Sequence, residues 1–278
     1  MRPISVERLP EFSPWPARLL GVEPWRVPKR DLARVQREYD RDTYGRCLAF
    51  LAAHPRAGAR ELRQHELGDL RRRVCVSTGN KLFTTTMAKA WQWHMSLLVD
   101  MLRPYLRKAQ VVVELGCGYG YNLWWLQQRF PDRSFVGGEL SRNAQRVARR
   151  LFRTPGIQVQ HFNYCDTSWQ LLRDCPRPYV LFTSHSIEQL PSAAHAVRCL
   201  ARCKGLLAVC HLEPVVELEG KSLLGLLRRR YAEANDYNRD LLSCLRSHPG
   251  IRVVATRHDI GGLNPLNPTS FTAWELRS

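Results

Sequence analysis

Residues 111–120 read Val111-Val112-Val113-Glu114-Leu115-Gly116-Cys117-Gly118-Tyr119-Gly120. Three β-branched residues open the stretch, and a short apolar run that ends in turn residues is typical of a buried strand in a parallel sheet. Glycines at alternate positions follow, and a helical pattern begins at Asn122. We call residues 116–120 the glycine turn. In a strand, glycine turn and helix of this kind, the backbone passes close beneath a nucleotide-like ligand.

The spacing of the glycines separates two classes of ligand. A dinucleotide fingerprint, G-x-G-x-x-G, would need glycine at position 121, which is Tyr121. The observed E-x-G-x-G-x-G, with Glu114 at the strand end, resembles the first motif of the class I S-adenosylmethionine-dependent methyltransferases. The alternative is an ordinary strand-to-helix turn without a ligand. The resemblance implies that the cofactor S-adenosylmethionine is held by Glu114, Gly116, Cys117, Gly118 and Gly120.

From residue 109 onward, strand and helix patterns alternate, which indicates a parallel sheet with helices on both faces. A loop without a helix joins the last two strands, so they should pair antiparallel. An α/β, Rossmann-like seven-stranded sheet with a reversed last strand is the fold that the resemblance implies, and the strand order is taken from it. We predict strands at 110–114, 134–138, 157–162, 178–184, 205–212, 250–257 and 269–276, and helices at 121–130, 141–152, 166–174, 191–202 and 221–246.

The first hundred residues match no family pattern. Residues 1–30 are rich in proline and form an irregular arm, in which Trp15 and Trp25 are expected to pack on the body. A helix is predicted at 31–53, with Asp31 as its cap. A polar helix should follow at 57–73, before Ser77-Thr78-Gly79-Asn80 breaks the pattern.

A further helix is predicted at 84–106, directly before the first strand of the sheet. It carries Trp91, Trp93 and His94, which either pack in the core or form a lid over the site. We therefore divide the chain into an arm with a helical lid at 1–105 and a methyltransferase core domain at 106–278.

In an open α/β sheet, ligands bind at the carboxyl ends of the strands. Glu139 ends the second strand and matches the family's ribose-binding acid. Alternatively, its negative charge only stabilises the N-terminus of the next helix. Asn163 and Tyr164 follow the third strand, where the family binds adenine. Asp166 is an alternative to Asn163 as the polar residue near the adenine amino group, or it only caps the next helix. The resemblance also implies that Leu140 and Ser184 contact the cofactor.

His185 follows the fourth strand, in a loop that faces the transferred methyl group in many class I methyltransferases. Histidine titrates near neutrality, so His185 is the first candidate for a general base. Glu188 orients it or binds a polar substrate. The alternative is that His185 is a hydrogen-bonded turn residue that only shapes the pocket.

His211 and Glu213 alternate onto one face of the fifth strand, which places both at the pocket rim as the second candidate acid/base pair. Loop 261–270, rich in Asn and Pro, should lie beside the active site as a rigid polar connection. Further candidates to approach the pocket are Tyr231, Tyr237 and Asn238.

The formal charge is +17, and 36 of the 42 basic residues are arginine. The arginines are scattered over different predicted helices, so a solvated basic surface is favoured over a nucleic-acid footprint. Nine cysteines show no C-x-x-C pair, and we expect free thiols and no metal site. The chain has neither a membrane-span pattern nor a signal-peptide pattern, so we expect a cytoplasmic protein.

Residues 183–186, T-S-H-S, stand where methyltransferases of nucleic-acid amines carry D/N-P-P-Y/F, which argues against base methylation. We therefore predict methyl transfer to a hydroxyl or amine of a small molecule in specialised, natural product metabolism. The alternative is a methyltransferase acting on RNA or a peptide, and a third possibility is a binding module that kept the fold. The sequence does not predict the oligomeric state.

Overall fold

The computed structural model describes residues 1–24, 37–153 and 156–277. In this part of the chain, ten strands form two sheets. The strands are β1 (Arg2–Ile4), β2 (Arg73–Thr78), β3 (Lys81–Thr86), β4 (Val111–Leu115), β5 (Ser134–Glu139), β6 (Ile157–His161), β7 (Tyr179–Ser184), β8 (Leu206–Glu213), β9 (Ile251–Gly261) and β10 (Thr269–Leu276).

In the described residues the helices are mostly short, and only one exceeds twelve residues. A π-helix at Arg37–Thr43 leads directly into the second α-helix. Among these described elements, none is both long and apolar enough to cross a membrane. The α-helices are α1 (Trp15–Leu19), α2 (Tyr44–Ala53), α3 (Ala59–Leu67), α4 (Met87–Leu106), α5 (Tyr121–Gln127), α6 (Arg142–Leu151), α7 (Gln170–Arg173), α8 (Ala194–Leu200), α9 (Leu223–Ala234) and α10 (Leu241–Ser247).

The main sheet has seven strands in the order β6-β5-β4-β7-β8-β10-β9. The neighbours from β6 to β8 pair parallel, whereas β10 pairs antiparallel with both β8 and β9. The seven predicted strands and the reversed last strand are therefore confirmed. The largest boundary error is at β9, which continues to Gly261.

Strand β4 lies at the centre of the sheet, and all five of its residues are buried. One apolar cluster, to which α4, α5 and α6 contribute, covers one face of the sheet. A second cluster, to which α7, α8 and α10 contribute, covers the other face. This arrangement confirms the prediction of helices on both faces, and it explains the apolar run of Val111–Val113.

A second, three-stranded antiparallel sheet in the order β1-β3-β2 was not predicted. The predicted helix 57–73 ends at Leu67, because Gly68 has a φ of +68°. The chain then forms a β2–β3 hairpin that turns at Gly79 and Asn80, both with positive φ. The sequence did not indicate this hairpin clearly, because its strands carry several polar and threonine residues beside the apolar ones. Backbone pairing between Ser77 and Gly262 joins it to the edge of the main sheet.

Three predicted helices are shorter than expected or broken. The helix expected at 84–106 begins only at Met87, where the Thr86 hydroxyl accepts a hydrogen bond from the backbone N–H of Lys89. The helix expected at 166–174 forms only after Trp169, so Asp166 does not cap it. The helix expected at 221–246 is divided into α9 and α10, and Asp236 between them has a φ of +54°.

The N-terminal arm packs on the body, as predicted for Trp15. The Trp15 ring lies edge-on against Tyr231 of α9, with 4.7 Å between the ring centroids. Trp25, and Asp31 with the first part of predicted helix 31–53, lie outside the described residues. The division of the chain at residue 105 stays a prediction.

A buried charge network joins α9 to β9 and to the β2–β3 hairpin. Arg228 Nη2 contacts Asp259 Oδ2 at 2.8 Å, and Nη1 contacts Glu219 Oε2 at 3.3 Å. Arg228 also donates to Asn80 Oδ1 at 2.8 Å and to the carbonyl oxygen of Pro265 at 2.9 Å. The small sheet is thus tied to the main domain by one arginine with nearly all its donors paired.

Candidate functional site

A cavity of about 400 Å³ lies at the carboxyl ends of β4 to β7. It is lined mostly by apolar and aromatic side chains, with a few polar groups, as is usual for small-ligand sites. The predicted residues that line it are Gly116, Glu139, Leu140, Asn163, Tyr164, Ser184 and His185. Those that sequence reasoning did not assign include Tyr39, Tyr44, Phe162, Ser186, Gln189 and Asp236.

The glycine turn has no room for side chains on its cavity side. A Cβ atom at Gly116 would lie 1.8 Å from Ser186 Oγ, and one at Gly118 would lie 2.4 Å from the Tyr44 hydroxyl. Both glycines have positive φ, which other residues rarely adopt. Glycine is therefore required at both positions, because Ser186 and Tyr44 pack directly against the backbone of the turn.

Two residues of the turn face the protein interior instead. The Cys117 side chain is buried against Gly137, where an added Cβ would lie 2.4 Å from Sγ. A Cβ at Gly120 would meet Phe152 and Val159 at 3.3 Å. Of the residues predicted in this motif, Gly116 lines the cavity, whereas Glu114, Cys117, Gly118 and Gly120 lie behind its wall, and their part in cofactor binding stays a prediction.

Glu114 carries a buried carboxylate oxygen without a partner. Its side chain is 1% exposed, and Oε1 accepts a hydrogen bond from Asn122 Nδ2 at 2.7 Å, but Oε2 has no partner among the described residues. Burial raises the pKa of Glu114 to about 8. A buried polar atom left unpaired is costly, and at a concave site it marks the place of a ligand donor.

Glu139 is held at the cavity wall by two backbone N–H groups. Its Oε2 accepts from Gly118 at 2.8 Å and its Oε1 accepts from Ser141 at 2.7 Å. Burial raises the pKa of this carboxyl group above its usual value. Each oxygen keeps a second acceptor position, so the carboxylate can still bind two hydroxyl groups.

The loop after β6 contributes an aromatic wall. The Tyr164 hydroxyl donates to the carbonyl oxygen of Leu115 at 3.1 Å and lies 3.0 Å from Ser186 Oγ. Burial holds the pKa of Tyr164 well above 10, so the phenol stays neutral. Asn163 Nδ2 donates to Asp166 Oδ1 at 3.0 Å. Asn163 lines the cavity, whereas Asp166 does not.

His185 projects from the end of β7 into the cavity. Its Nε2 lies 2.7 Å from Thr269 Oγ1, and its Nδ1 lies 3.4 Å from Glu188 Oε2. Burial by itself lowers the pKa of His185, but the Glu188 carboxylate outweighs burial, and the net shift is upward. Glu188 in turn accepts hydrogen bonds from Asn267 and Gln189, both at 3.0 Å. The imidazole is thus oriented by a fixed carboxylate, as a general base requires.

The prediction that Glu213 lies at the pocket rim is wrong. Its carboxylate is fully buried and accepts the backbone N–H groups of Ser186 at 3.0 Å and Ile187 at 3.2 Å. Burial, together with the charge of Glu188, raises the pKa of Glu213 to about 7. Asn238 donates to the carbonyl oxygen of Ile187. Glu213 and Asn238 therefore hold the loop that presents His185.

The prediction that His211 is a rim residue and a catalytic base is also wrong. His211 is 0% exposed, its Nδ1 lies 2.9 Å from Thr183 Oγ1, and its Nε2 accepts from Trp274 Nε1 at 3.0 Å. Burial lowers the pKa of His211 to about 3, so the ring is neutral. Both nitrogens have partners inside the sheet, and no lone pair is left for substrate.

The π-helix and α2 cover one side of the cavity. Asp40 Oδ1 accepts from Ser141 Oγ at 2.6 Å and from the backbone N–H of Asn143 at 2.9 Å, which ties this segment to the start of α6. Tyr44 then lies over Gly118. Sequence patterns gave no signal for Tyr44, because the contact depends on how α2 docks.

The other residues expected near the site play packing roles. Trp91 packs against Tyr121, with 5.7 Å between the ring centroids, and Trp93 fills the space beside Gly261. Neither of them, nor His94, lines the cavity. Tyr231 accepts a hydrogen bond from Asn264 in loop 261–270, and Tyr237 packs in the same cluster as Tyr231. The loop reaches the site through Asn267 and Thr269.

The strand order and the site at the carboxyl ends of β4, β5 and β7 define the fold of the class I S-adenosylmethionine-dependent methyltransferases. The structure is similar to magnesium protoporphyrin IX methyltransferase from Synechocystis PCC 6803 with bound SAH. The TM-score is 0.53 at 11% identity, covering 89% of this chain and 100% of that one.

A second similar structure is geranyl diphosphate C-methyltransferase from Streptomyces coelicolor A3(2). Its TM-score is 0.49 at 11% identity, covering 68% of this chain and 80% of that one. Such low identities show the fold alone. No family model matches the sequence, and no curated protein matches it.

Proposed function

We propose that the protein is an S-adenosylmethionine-dependent methyltransferase. The observation that carries this proposal is the unpaired, buried oxygen of Glu114 beside a glycine turn with no room for side chains. Glu139 lines the cavity, Glu188 contacts His185 of its lining, and Glu114 lies two residues before Gly116, in a protein whose formal charge is +17. An acidic cavity in a basic protein suits a ligand that carries an ammonium and a sulfonium cation.

Each part of the cofactor has a residue of matching chemistry. Glu114 and Gly116 would hold the amino-acid part, and Glu139 would accept the two ribose hydroxyls. Residues suited to the adenine and its surroundings are Leu140, Asn163, Tyr164 and Ser184. The bound cofactor supplies an activated methyl group.

The chain's own residues then position the acceptor and remove its proton. His185 takes the proton of an attacking hydroxyl or amine at Nε2, where the substrate replaces the hydrogen bond with the Thr269 hydroxyl, while Glu188 at Nδ1 stabilises the imidazolium that forms. Tyr44 and the segment around Asp40 exclude water from one side of the cavity. Positioning of this kind can contribute about 7–11 kcal/mol, and the base about a further 10²–10⁴-fold in rate.

The acceptor that fits best is a small molecule with a hydroxyl or amine group. Tyr44 and the π-helix segment partly cover the cavity that the cofactor would occupy, and a covered site suits a small acceptor better than a polymer. A role in natural product metabolism and a cytoplasmic location stay predictions. RNA or a peptide is the second candidate, which the charge of +17 favours.

Transfer of labelled methyl groups tests this choice. We expect label from S-adenosylmethionine to appear in small-molecule pools and not in RNA or protein. Label in RNA, with activity that falls steeply as salt rises, would instead establish the second candidate. No transfer to any pool by a protein that binds the cofactor would favour the binding module.

Cofactor binding should strengthen as pH rises. Glu114 must lose its proton to bind an ammonium group, and its pKa of about 8 means that it is mostly protonated at pH 7. We expect affinity to rise by up to about tenfold per pH unit below 8 and to fall again at higher pH, because the ligand's own ammonium group, with a pKa of about 8, then loses its proton. Calorimetry in two buffers of different ionisation enthalpy should show release of a proton on binding at pH 7.

Glu114→Gln is the matched control for this pH dependence. It should bind weakly, with no proton release at pH 7 and no rise in affinity between pH 6 and 8. A wild-type affinity that is constant from pH 6 to 9 would contradict the assignment of Glu114.

A further inference from the structure

Arg63 of α3 lies in an aromatic box against the glycine turn. Its guanidinium lies 5.0 Å from the ring centroid of Trp91, 5.4 Å from that of Tyr119 and 4.6 Å from that of Tyr121. Tyr119 belongs to the glycine turn, and Tyr121 begins α5. The cation is therefore placed directly on the segment that the proposed function assigns to the cofactor.

Most donors of this guanidinium are not used. Nη1 contacts Glu66 Oε2 at 3.2 Å, while Nε is buried without a partner. Nη2 likewise has no hydrogen-bond partner in the described part of the chain, and the side chain is 24% exposed. An arginine offers five N–H donors, and those left free are suited to a planar anion such as a carboxylate.

The position of Arg63 is fixed from two sides. Glu66, one turn further along α3, accepts a hydrogen bond from the Tyr119 hydroxyl at 2.6 Å and thereby ties α3 to the glycine turn. The three ring contacts hold the guanidinium plane. Arg63 is thus preorganised and need not be ordered when a ligand binds.

The amino-acid part of S-adenosylmethionine is a zwitterion, so both its charges need partners. Glu114, with its unpaired Oε2, suits the ammonium group, but the carboxylate needs a cation. Glu114 lies two residues before the glycine turn, and Arg63 contacts Tyr119 of that turn. Of the cations in the described residues, Arg63 is the one whose guanidinium contacts a side chain of the glycine turn.

We propose that Arg63 binds the α-carboxylate of S-adenosylmethionine, opposite Glu114, so that α3 completes the cofactor site from outside the main sheet. This inference rests on the proposed function. It makes the segment before β2 part of the cofactor site and not only part of a substrate lid.

The test compares two ligands that differ only in this carboxylate. Calorimetry would measure S-adenosylmethionine and its decarboxylated form on wild type, Arg63→Gln and Arg63→Lys. Wild type should bind S-adenosylmethionine about 10- to 100-fold more tightly than the decarboxylated form. Arg63→Gln should remove that preference without weakening the decarboxylated ligand, and Arg63→Lys should restore part of it. Arg60→Gln, an exposed arginine of the same helix, should match wild type.

Each contrary result has its own meaning. If Arg63→Gln weakened both ligands equally, Arg63 would only stabilise the fold of α3 on the turn, and the proposal would be overturned. Unchanged binding of both would overturn it as well. If wild type bound neither ligand, the proposed function itself would fail, and this inference with it.

Discussion

Replacing His185 with glutamine is expected to lower kcat by about 10²–10⁴-fold while leaving the Kd for S-adenosylmethionine unchanged. Glutamine keeps a polar side chain that can contact Thr269, but it cannot take a proton from the acceptor. The measurement is the rate of S-adenosylhomocysteine formation with an acceptor from the small-molecule pools, alongside calorimetry with the cofactor.

The pH dependence of the transfer rate is a second test of His185 as the general base. The base must be neutral to act, and Glu188 holds the pKa of His185 above its ordinary value. Wild-type activity should therefore fall as pH drops, with a midpoint above about 6.5. His248→Gln, at the opposite edge of the sheet just before β9, is the matched control. If the His185 variant kept its rate within about threefold, far less than a general base contributes, His185 would only shape the pocket.

Replacing Arg228 with methionine is expected to lower the free energy of unfolding by about 3–5 kcal/mol. The change leaves the carboxylates of Asp259 and Glu219 buried without their cation, although methionine fills most of the space. Urea denaturation followed by circular dichroism measures the loss. It should come from electrostatics and not from lost volume.

Arg252→Met is the matched control, because Arg252 contacts Glu275 at 3.0 Å but is 65% exposed. An exposed pair of this kind contributes about 0–1 kcal/mol. Adding Glu219→Gln and Asp259→Asn to the Arg228 variant should recover part of the loss. Equal losses in the two single variants would mean that the buried network contributes no more than a surface pair.

The main sheet was readable from the sequence because burial on both faces leaves unbroken apolar strands. Val111–Val113 and Tyr179–Phe182 are clear examples. The small sheet was not predicted, since Arg73 was assigned to the helix expected at 57–73 and residues 77–80 were interpreted as a break before the helix expected at 84–106. Short-range patterns do not carry the pairing of Ser77 with Gly262, which lie far apart in the chain.

The site was predictable where a residue's role depends on its place at a strand end. Gly116, Glu139 and His185 all line the cavity for that reason. His211 was wrongly placed at the pocket rim. The alternation of side chains along a strand does not show at which residue the strand stops being buried by neighbouring elements. Arg63 and Tyr44 were missed because they reach the turn from helices whose docking no local pattern encodes.

The central claim is that the glycine turn binds S-adenosylmethionine, and calorimetric titration of wild type, Gly116→Ala and Gly79→Ala tests it most directly. Both glycines have positive φ, so both variants bear similar backbone strain, but only the Cβ at Gly116 meets a neighbour, while none lies within 4 Å of that at Gly79. We predict one-to-one binding to wild type and to Gly79→Ala, and none to Gly116→Ala. Absence of binding to wild type, or equal binding to all three proteins, would contradict the claim.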